Sequence, residues 1–358
     1  MTASAATPPR VSICIVSWNT RDLLDACITS IAKHTTLPHE VIVVDNASSD
    51  GTVAMLRERH PHVRVIASER NLGFVLGNNV AAREARGEYL LLLNPDTALA
   101  SDLLGGLAAK LGSDPGIGIA GPKLLNADGT IQATCAAKLP TPWNEFTSLL
   151  FLHRLSPRLF PDRELSGWDH LDERDVESIS GACLMIRRTL WESLGGFDEA
   201  VFMYAEDLDL CRRVAHAGVR LRYVPAVSVF HYEGSSASQR KESFFALLSQ
   251  MSSNAWYFRK HFGAGTVFGY RLAVLVGSSL RLVVGVIAAP FVRAASGRSA
   301  GWFLRKHWAL LLWSLAAPPA APPPPRAPDP SDTTMRQGAR ASGPATGDGA
   351  DRVLNPRG

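Results

Sequence analysis

The chain has 358 residues, of which 46% are hydrophobic and 20% charged, and its formal net charge is +4. This length suffices for one large α/β domain with appended segments. A nucleic-acid-binding protein is not indicated, because residues 1–250 contain no Lys/Arg run with interleaved aromatic residues. The five cysteines are odd in number and widely spaced without a CxxC pair, which argues against a disulfide framework or a zinc cluster and favours a reducing compartment.

The first part of the chain alternates short β-branched runs with helical periods, a pattern typical of βαβ units and a parallel sheet. Strands are predicted at 11–16, 41–44, 63–67 and 89–93. Helices are predicted between them at about 20–31, from Ser48 or Ser49 to 59, and at 76–86. Residues 1–10 contain no apolar segment of the signal-peptide type, so we expect a flexible N-terminus and a cytoplasmic catalytic part.

Residues 101–242 have a looser pattern, which we interpret as the second half of the same catalytic domain, 11–242. The predicted elements are a helix at 103–111, an extended stretch at 117–125, strands at 180–187, 221–224 and 227–230, and a helix from Glu206 or Asp207 to Gly218. The segment from 138 to 177 has no regular pattern and is interpreted as a lid on the acceptor side.

The composition changes after residue 243. Residues 272–292 are nearly all apolar, but Arg281 near the centre of this run costs about 2.5–3.5 kcal/mol on insertion into a bilayer. Arg271, Ser278, Arg281 and Gly285 fall on one side of a helical wheel, which predicts an interfacial helix with a polar stripe; a helical pair docked on the catalytic domain, or a dimer contact, is the alternative. Residues 243–317 are therefore predicted to be helical and to lie at a membrane surface. Residues 318–358 are rich in Pro, Ala, Gly and Ser and are predicted to be disordered.

Two carboxylates follow predicted strands at the edge where parallel sheets bind ligands. Asp45 ends the run Val41 to Val44, and a carboxylate there can accept the imide N–H of uracil or thymine; a loop-capping aspartate is the alternative. Asn94 and Asp96 flank Pro95 after the fourth strand. An oxygen pair at this spacing can bind Mg²⁺ or Mn²⁺ next to a diphosphate. The structural alternative is a capped turn.

A third group of acids opens the predicted helix at Glu206, Asp207 and Asp209. Acids in a first turn usually complement the helix dipole, yet a carboxylate at a helix mouth beside a cleft also suits a general base, and Asp207 qualifies. His231 follows the last predicted strand, where it is either structural or a metal ligand that compensates for Asn94.

The letters Gly116 to Gly121 match G-x-G-x-x-G, which raises the alternative of a dinucleotide-dependent oxidoreductase. The motif follows Asp-Pro rather than a strand and continues into Pro122 rather than a helix. No helix N-terminus is therefore predicted to face a pyrophosphate, and we discount the motif.

The order of several blocks resembles the inverting family 2 glycosyltransferases of the GT-A fold, especially the bacterial rhamnosyltransferase-like members. These blocks are Ser17-Trp18-Asn19, Val44-Asp45-Asn46-Ala47-Ser48-Ser49-Asp50-Gly51-Thr52, Asn71-Leu72-Gly73-Phe74, Gly77-Asn78-Asn79, Asn94-Pro95-Asp96, Ser180-Gly181-Ala182, Gly195-Gly196-Phe197-Asp198-Glu199, Glu206-Asp207-Leu208-Asp209-Leu210 and Val229-Phe230-His231. They cover about residues 10–240. The resemblance implies a Rossmann-like, mostly parallel sheet flanked by helices, with residues 11–100 as the nucleotide-sugar half and residues 101–242 as the acceptor half.

The same resemblance implies roles for individual residues. The donor would be bound by Ser17, Asn19, Asp45, Asn71, Gly73, Asn94 and Asp96. Asp96 and His231 would hold the divalent metal ion, Gly181 and Glu206 would contact the acceptor, and Asp207 would be the catalytic base. Two positions depart from the family pattern: Asn94 replaces the first acid of Asp-x-Asp, and Asn78 stands where many relatives carry Arg.

The expected function is inverting transfer of a sugar, L-rhamnose from dTDP-rhamnose or a hexose from a UDP-sugar, to a lipid-linked saccharide acceptor. We expect this reaction at the inner face of the cell membrane, in cell-envelope polysaccharide synthesis. The alternatives are a non-catalytic, membrane-peripheral protein that binds nucleotide sugars and the oxidoreductase discounted above. Neither the sugar nor the oligomeric state follows from the sequence.

Overall fold

A computed structural model of the protein describes residues 8–150, 167–232, 244–288 and 300–316, together with residues 152, 156, 159, 160, 163 and 165. These residues belong to one compact unit, residues 1–324. The predicted disordered tail, residues 318–358, lies outside the described residues, as do residues 1–7 and much of the central part of the predicted lid.

The first half is built from four parallel strands, as the sequence predicts. They are β1 (Val11–Ser17), β2 (His39–Asp45), β3 (Arg64–Ala67) and β4 (Tyr89–Leu93). Their spatial order is β3-β2-β1-β4, and the register pairs Ser17 with Asp45. The helices that connect them are α1 (Arg21–His34), α2 (Thr52–Arg59) and α3 (Gly73–Arg83).

Two helix starts differ from the prediction. Helix α2 begins at Thr52 rather than at Ser48 or Ser49, because Gly51 adopts φ +84° and the Asp50 carboxylate accepts the Thr52 N–H at 3.1 Å. Helix α3 begins at Gly73, three residues before the predicted start. In both cases a polar contact of the preceding loop sets the start, and hydrophobic periodicity does not report such a contact.

The second half extends the sheet with strands of both directions. Its elements are β5 (Thr97–Leu99), α4 (Leu103–Ser113), β6 (Ile117–Leu125), a 3₁₀ turn (Ala133–Cys135), β7 (Ala136–Ala137), α5 (Pro142–Leu149), β8 (Arg174–Val176), β9 (Ser178–Ile179), β10 (Cys183–Arg187), α6 (Arg188–Leu194), α7 (Glu206–His216) and β11 (Arg220–His231). In the described chain the sheet order is β3-β2-β1-β4-β10-β6-β11-β5, with β8 also pairing with β11. Strand β10 is antiparallel to both neighbours, whereas β6 and β11 are parallel, so the sheet is parallel in its first half and mixed in its second.

Helices cover both faces of this sheet. The side chains of α1, α2 and α4 pack with one face, and those of α3, α6 and α7 pack with the other. Burial on both faces explains why β1, β2 and β4 have almost uninterrupted apolar sequences. The G-x-G-x-x-G letters lie within and just before β6, where added Cβ atoms at Gly118 and Gly121 would collide with the side chains of Leu190 and Ile179. These two glycines therefore serve packing, and no helix follows them.

Three further helices follow the sheet domain: α8 (Phe245–Phe262), α9 (Ala264–Ala288) and α10 (Ala300–Leu315). They enclose a core of their own that includes Tyr257, Phe258 and Tyr270 and that also contacts Ala205 beside α7. Part of the predicted polar stripe of α9 packs within this helical group. Arg271 donates hydrogen bonds to the carbonyl oxygens of Trp313 and Ser314 at the end of α10, and Ser278 is 2% exposed.

The polar stripe therefore packs partly against α10, and the interfacial location of α9 stays a prediction. The exposed face of α9 is apolar, and its exposed side chains are Phe268, Leu272, Val276, Leu280, Val283, Val284 and Val286. Among the described helices, α9 alone contains a segment long and apolar enough to cross a membrane, Ala264–Val286. Its length and composition do not distinguish a spanning helix from one that lies on a surface.

A buried ionic cluster attaches α8 to α7. Asp209 is fully buried, and its carboxylate contacts Arg213 at 2.8 Å, Lys260 at 2.6 Å and His261 at 2.8 Å. Because Asp209 lies one half-turn after Asp207, this cluster holds the N-terminal turn of α7 against the C-terminal helices.

Replacing Asp209 with Ala removes the buried counter-charge of Arg213 and Lys260 and a hydrogen-bond partner of His261. We expect the free energy of unfolding to fall by about 3–5 kcal/mol. Chemical denaturation of the full chain measures this loss. The matched control is Glu192→Ala, which removes an exposed i,i+4 pair with Arg188 and should cost about 0.5 kcal/mol or less. Equal losses in the two variants would contradict a stabilising role for the buried cluster.

Candidate active site

The carboxyl end of β2 presents Asp45, which is 2% exposed. Its Oδ2 accepts the Ser48 N–H at 3.0 Å, as a loop-capping aspartate does. Its Oδ1 is also buried but has no hydrogen-bond partner within the described chain. A buried carboxylate oxygen without a partner is costly, so this atom is poised to accept a hydrogen bond from a ligand.

Ser17 and Asn19, at the end of β1, make contacts within the loops. The Ser17 hydroxyl is 2.9 Å from the Thr20 hydroxyl, and the Asn19 amide oxygen accepts the Ser49 N–H at 2.8 Å. The Asn19 N–H donates to the Ser48 hydroxyl at 2.9 Å. These contacts join the loop after β1 to the loop after β2, and thereby help to hold Asp45 in position.

Asn71 and Gly73 shape the start of α3. The Asn71 amide oxygen accepts the Gly73 N–H at 2.8 Å, and Gly73 adopts φ +82°. A Cβ atom at Gly73 would lie 2.6 Å from the Phe202 ring, and the N–H groups of Phe74 and Val75 donate to the Phe202 carbonyl oxygen. The turn before α3 is therefore packed against the segment that leads into α7, and only glycine fits this approach.

Asn94, Asp96 and His231 meet where β4 and β11 end. The His231 Nε2 atom is 3.5 Å from Asp96 Oδ1 and 3.3 Å from Asn94 Nδ2. The pairing of β11 with β5 brings them together by placing His231 opposite Thr97, and the Tyr232 N–H donates to the Asp96 carbonyl oxygen at 2.9 Å. Asp96 and His231, 5% and 7% exposed, thus form one buried pair of donor atoms.

This pair suits a divalent cation. Neighbouring ligands of an octahedral ion with bonds of about 2.1 Å lie about 3 Å apart, so one ion can reach both Asp96 Oδ1 and His231 Nε2. Within the ranges that the structure describes, no cluster of three His, Cys, Asp or Glu side chains with metal-site spacing occurs. The donor set that these described residues supply is therefore small.

Asp207 lies in the first turn of α7, where its two oxygens accept the N–H groups of Gly181 at 2.9 Å and of Leu208 at 2.8 Å. Burial raises the pKa of the Asp207 carboxyl, and these two hydrogen bonds oppose the rise. The backbone that delivers this side chain is strained, since Tyr204 and Ala205 adopt φ +70° and +62°. Strain of this kind is commonly retained at functional sites.

Glu206 is the neighbouring acid and is 6% exposed. Burial, reinforced by the nearby charge of Asp207, raises the pKa of Glu206 well above its ordinary range. Its Oε2 atom is buried and has no partner in the described part of the chain. A raised pKa favours the protonated carboxyl group, which can donate a hydrogen bond.

One short backbone segment joins these groups. Gly181 donates its N–H to Asp207, and the carbonyl oxygen of the next residue, Ala182, accepts the Asn94 N–H at 2.9 Å. The strand-end group of Asn94, Asp96 and His231 is thereby linked to Asp207. Ser17 and Asn19 instead contact the loops after β1 and β2. Asn71 and Gly73 contact the turn before α3, and Gly73 also contacts Asn46 and lies against Phe202.

The sequence did not predict a role in this region for two further residues, Asn46 and Gln132. The Asn46 amide donates to the Gly73 carbonyl oxygen at 3.0 Å, and the Gln132 amide contacts His231. Asn46 lies in a block that was recognised for Asp45, so its position next to a strand end was an available signal. Gln132 lies beyond a turn and 99 residues from His231, and no local pattern indicates its role.

The fold and the site together define a class of protein. The same fold occurs in the crystal structure of GalNAc-T7 with UDP, GalNAc and Mn²⁺, with a TM-score of 0.52 at 16% sequence identity, covering 84% of this chain and 57% of that one. The chain therefore has the GT-A fold of glycosyltransferases, with helices on both faces of a mixed sheet.

Matches to two family models identify the family of the protein. Residues 12–132 match Glycosyl transferase family 2, and residues 89–319 match Glycosyl transferase family group 2. The chain belongs to the family 2 glycosyltransferases, as the sequence blocks indicated. This membership excludes the oxidoreductase alternative.

The curated relatives include rhamnosyltransferases. The N-acetylglucosaminyl-diphospho-decaprenol L-rhamnosyltransferase of Mycobacterium tuberculosis is 27% identical over 74% of this chain and 92% of its own length. The O-antigen chain rhamnosyltransferase WbaN of Salmonella anatum is 24% identical over 77% of this chain and 82% of its own. The O-antigen biosynthesis protein RfbC of Myxococcus xanthus is 30% identical over 66% of this chain but only 18% of its own. The chain is thus a rhamnosyltransferase-like member of the family.

Proposed function

We propose that this glycosyltransferase catalyses inverting, metal-dependent transfer of a sugar from a nucleoside diphosphate to a lipid-linked saccharide. L-Rhamnose from dTDP-rhamnose is the first candidate, and a hexose from a UDP-sugar is the second. The meeting of Asp96, His231 and Asp207 through the segment Gly181–Ala182 carries the proposal, because it unites a pair of metal-donor atoms with a carboxylate base. The relative from Mycobacterium tuberculosis supports an acceptor of the polyprenyl diphosphate type.

On the donor side, Asp45 would select the base. Uracil and thymine both carry an imide N–H, and the buried Asp45 Oδ1 without a partner is an acceptor for it. The contacts of Ser17 and Asn19 support a role in shaping the pocket around the base and ribose, and those of Asn71 and Gly73 support the same role beside α3. This chemistry accepts either dTDP or UDP, so the base pocket does not select between the two candidate donors.

Asp96 and His231 would hold Mg²⁺ or Mn²⁺ beside the donor diphosphate, with Asn94 next to them. When bound, the cation supplies positive charge that stabilises the departing nucleoside diphosphate. Because the described residues contribute few donor atoms, the diphosphate oxygens would complete the coordination. We therefore expect metal and nucleotide to bind cooperatively.

On the acceptor side, Asp207 would act as the base. Its carboxylate would take the proton from an acceptor hydroxyl while that oxygen attacks the anomeric carbon from the face opposite the nucleotide, so that the configuration inverts. The raised pKa of Asp207 strengthens it as a base. Protonated Glu206 would hydrogen-bond to an acceptor oxygen, and Gly181 would keep Asp207 in place.

The exposed apolar face of α9 would lie on the cytoplasmic surface of the cell membrane. That face is continuous over more than four helical turns, from Phe268 to Val284, and residues 264–286 would be buried in the headgroup region rather than across the bilayer. A lipid-linked acceptor resides in the same bilayer. Because α9 packs on α8, and α8 is joined to α7 through Asp209, such attachment would place α7 and the membrane contact on one helical support.

Asp207→Asn removes the proposed base while conserving size. We expect kcat to fall by about 10²–10⁴-fold, whereas the affinity for dTDP or UDP with Mn²⁺ stays unchanged. In the wild-type protein, transfer should decline as the pH falls through the pKa of Asp207, because only the ionised form accepts a proton. That decline should lie above the ordinary aspartate pKa of about 3.9. A transfer assay across pH measures both effects.

The control for this experiment is Asp22→Asn, which changes an exposed aspartate of α1 and should retain full activity. Full transfer by Asp207→Asn would contradict the assignment of the base. A wild-type protein that binds nucleotide sugar and Mn²⁺ but transfers no sugar to any lipid-linked acceptor would instead favour the non-catalytic alternative.

Asp96→Ala and His231→Ala each remove one metal donor. We expect each variant to lose at least about tenfold in affinity for dTDP or UDP when Mn²⁺ is present, with little change when it is absent. Calorimetric titration with and without Mn²⁺ separates the two conditions. His62→Ala, at an exposed histidine, is the control. Unchanged Mn²⁺-dependent affinity in both variants would contradict the proposed metal site.

Leu272→Glu with Leu280→Glu places two charges on the exposed face of α9. Because a buried leucine contributes about 1.5–3 kcal/mol, we expect at least a tenfold loss of binding to anionic phospholipid vesicles in a sedimentation assay. Leu171→Glu changes an equally exposed leucine outside α9 and should bind like the wild type. Absence of vesicle binding by the wild-type protein would contradict membrane attachment.

A further inference from the structure

Gln132 lies in the hairpin that follows β6 and makes two hydrogen bonds with His231. Its Nε2 atom donates to the His231 carbonyl oxygen at 2.8 Å and to Asn126 Oδ1 at 2.9 Å. Its Oε1 atom is 3.0 Å from His231 Nδ1. The side chain is 6% exposed, so these contacts are shielded from competing water.

The orientation of the Gln132 amide follows from its contact with the main chain. A carbonyl oxygen only accepts hydrogen bonds, so the atom of Gln132 that faces the His231 carbonyl must be the nitrogen. The atom that faces His231 Nδ1 is then the oxygen, which also only accepts. In the neutral ring, Nδ1 must therefore carry the proton, and Nε2 carries the lone pair.

That lone pair faces the proposed metal site. His231 Nε2 is the ring atom 3.5 Å from Asp96 Oδ1, and a ring with the other tautomer would present an N–H there instead. An N–H group repels a cation, whereas a lone pair binds it. The hydrogen bond from His231 to Gln132 thus sets which form of the ring faces Asp96.

We propose that Gln132 is a positioning residue that holds His231 in the metal-binding tautomer. This inference rests on the metal site proposed above. Gln132 also donates to Asn126, which ties its amide to its own hairpin. One amide therefore fixes both the ring of His231 and the main chain at the end of β11.

Gln132→Leu removes both contacts with little change in volume. We expect Mn²⁺ affinity, measured by titration in the presence of dTDP or UDP, to fall by about 10–100-fold. Nucleotide affinity without Mn²⁺ should not change. Thr130→Val is the matched control, because it removes hydroxyl hydrogen bonds from the same hairpin without touching His231, and it should bind Mn²⁺ within a factor of about three of the wild type.

A double-mutant cycle distinguishes action through His231 from a general effect on the hairpin. In the His231→Ala background, Gln132→Leu should cause no further loss of Mn²⁺ affinity. A loss of the same size in both backgrounds would overturn the inference, as would wild-type affinity in Gln132→Leu. If His231→Ala itself binds Mn²⁺ normally, the metal-site proposal fails together with this inference. If only Gln132→Leu binds normally, this inference alone fails.

The tautomer is also measurable directly. Long-range ¹H–¹⁵N NMR spectra of the metal-free, histidine-labelled protein, recorded where the ring is neutral, distinguish the protonated ring nitrogen from the unprotonated one. We expect a proton on Nδ1 of His231 in the wild type and in Thr130→Val, and a mixture of tautomers in Gln132→Leu. A proton on Nε2 in the wild type would overturn the inference, whether or not any variant folds.

Discussion

The insertion of β10 between β4 and β6 is the constraint on which the candidate site depends. Strand β10 pairs antiparallel with β4, and the loop that leads into it supplies both the Ala182 carbonyl oxygen that accepts from Asn94 and the Gly181 N–H that donates to Asp207. Two parts of the chain that lie far apart in sequence are thus joined by consecutive peptide groups. These two backbone hydrogen bonds form a joint that restricts how far Asp207 can move from the strand end that carries Asp96.

Around this joint the protein keeps polar groups that its own fold does not satisfy. Asp45 Oδ1 and Glu206 Oε2 are buried without partners in the described chain, and the backbone at Tyr204 and Ala205 is strained. Each feature lowers stability, and such features persist where a ligand or a reaction uses them. Their location, on the proposed donor side for Asp45 and on the proposed acceptor side for Glu206, agrees with a glycosyltransferase that binds two substrates.

The C-terminal helices also support the candidate site. Asp209 contacts Lys260 and His261 of α8, and the Ser253 hydroxyl donates to the Met203 carbonyl oxygen just before the strained turn. Helix α8 therefore supports the segment that presents Asp207. If α9 lies on a membrane as proposed, the helical group that attaches the protein also supports Asp207, the proposed base.

The sequence by itself determined the parallel half of the sheet, the positions of Asp45 and Asp96 at strand ends and the membership of the family, because buried strands and the turns after them are local patterns. The tertiary structure alone decided that β10 runs antiparallel, that part of the polar stripe of α9 packs against α10, and that Gln132 meets His231. A helical wheel shows that two faces of a helix differ in polarity but not which face is covered. A hydrogen bond between residues 99 positions apart does not affect the periodicity of the sequence. Such contacts arise only when distant segments fold onto one sheet edge.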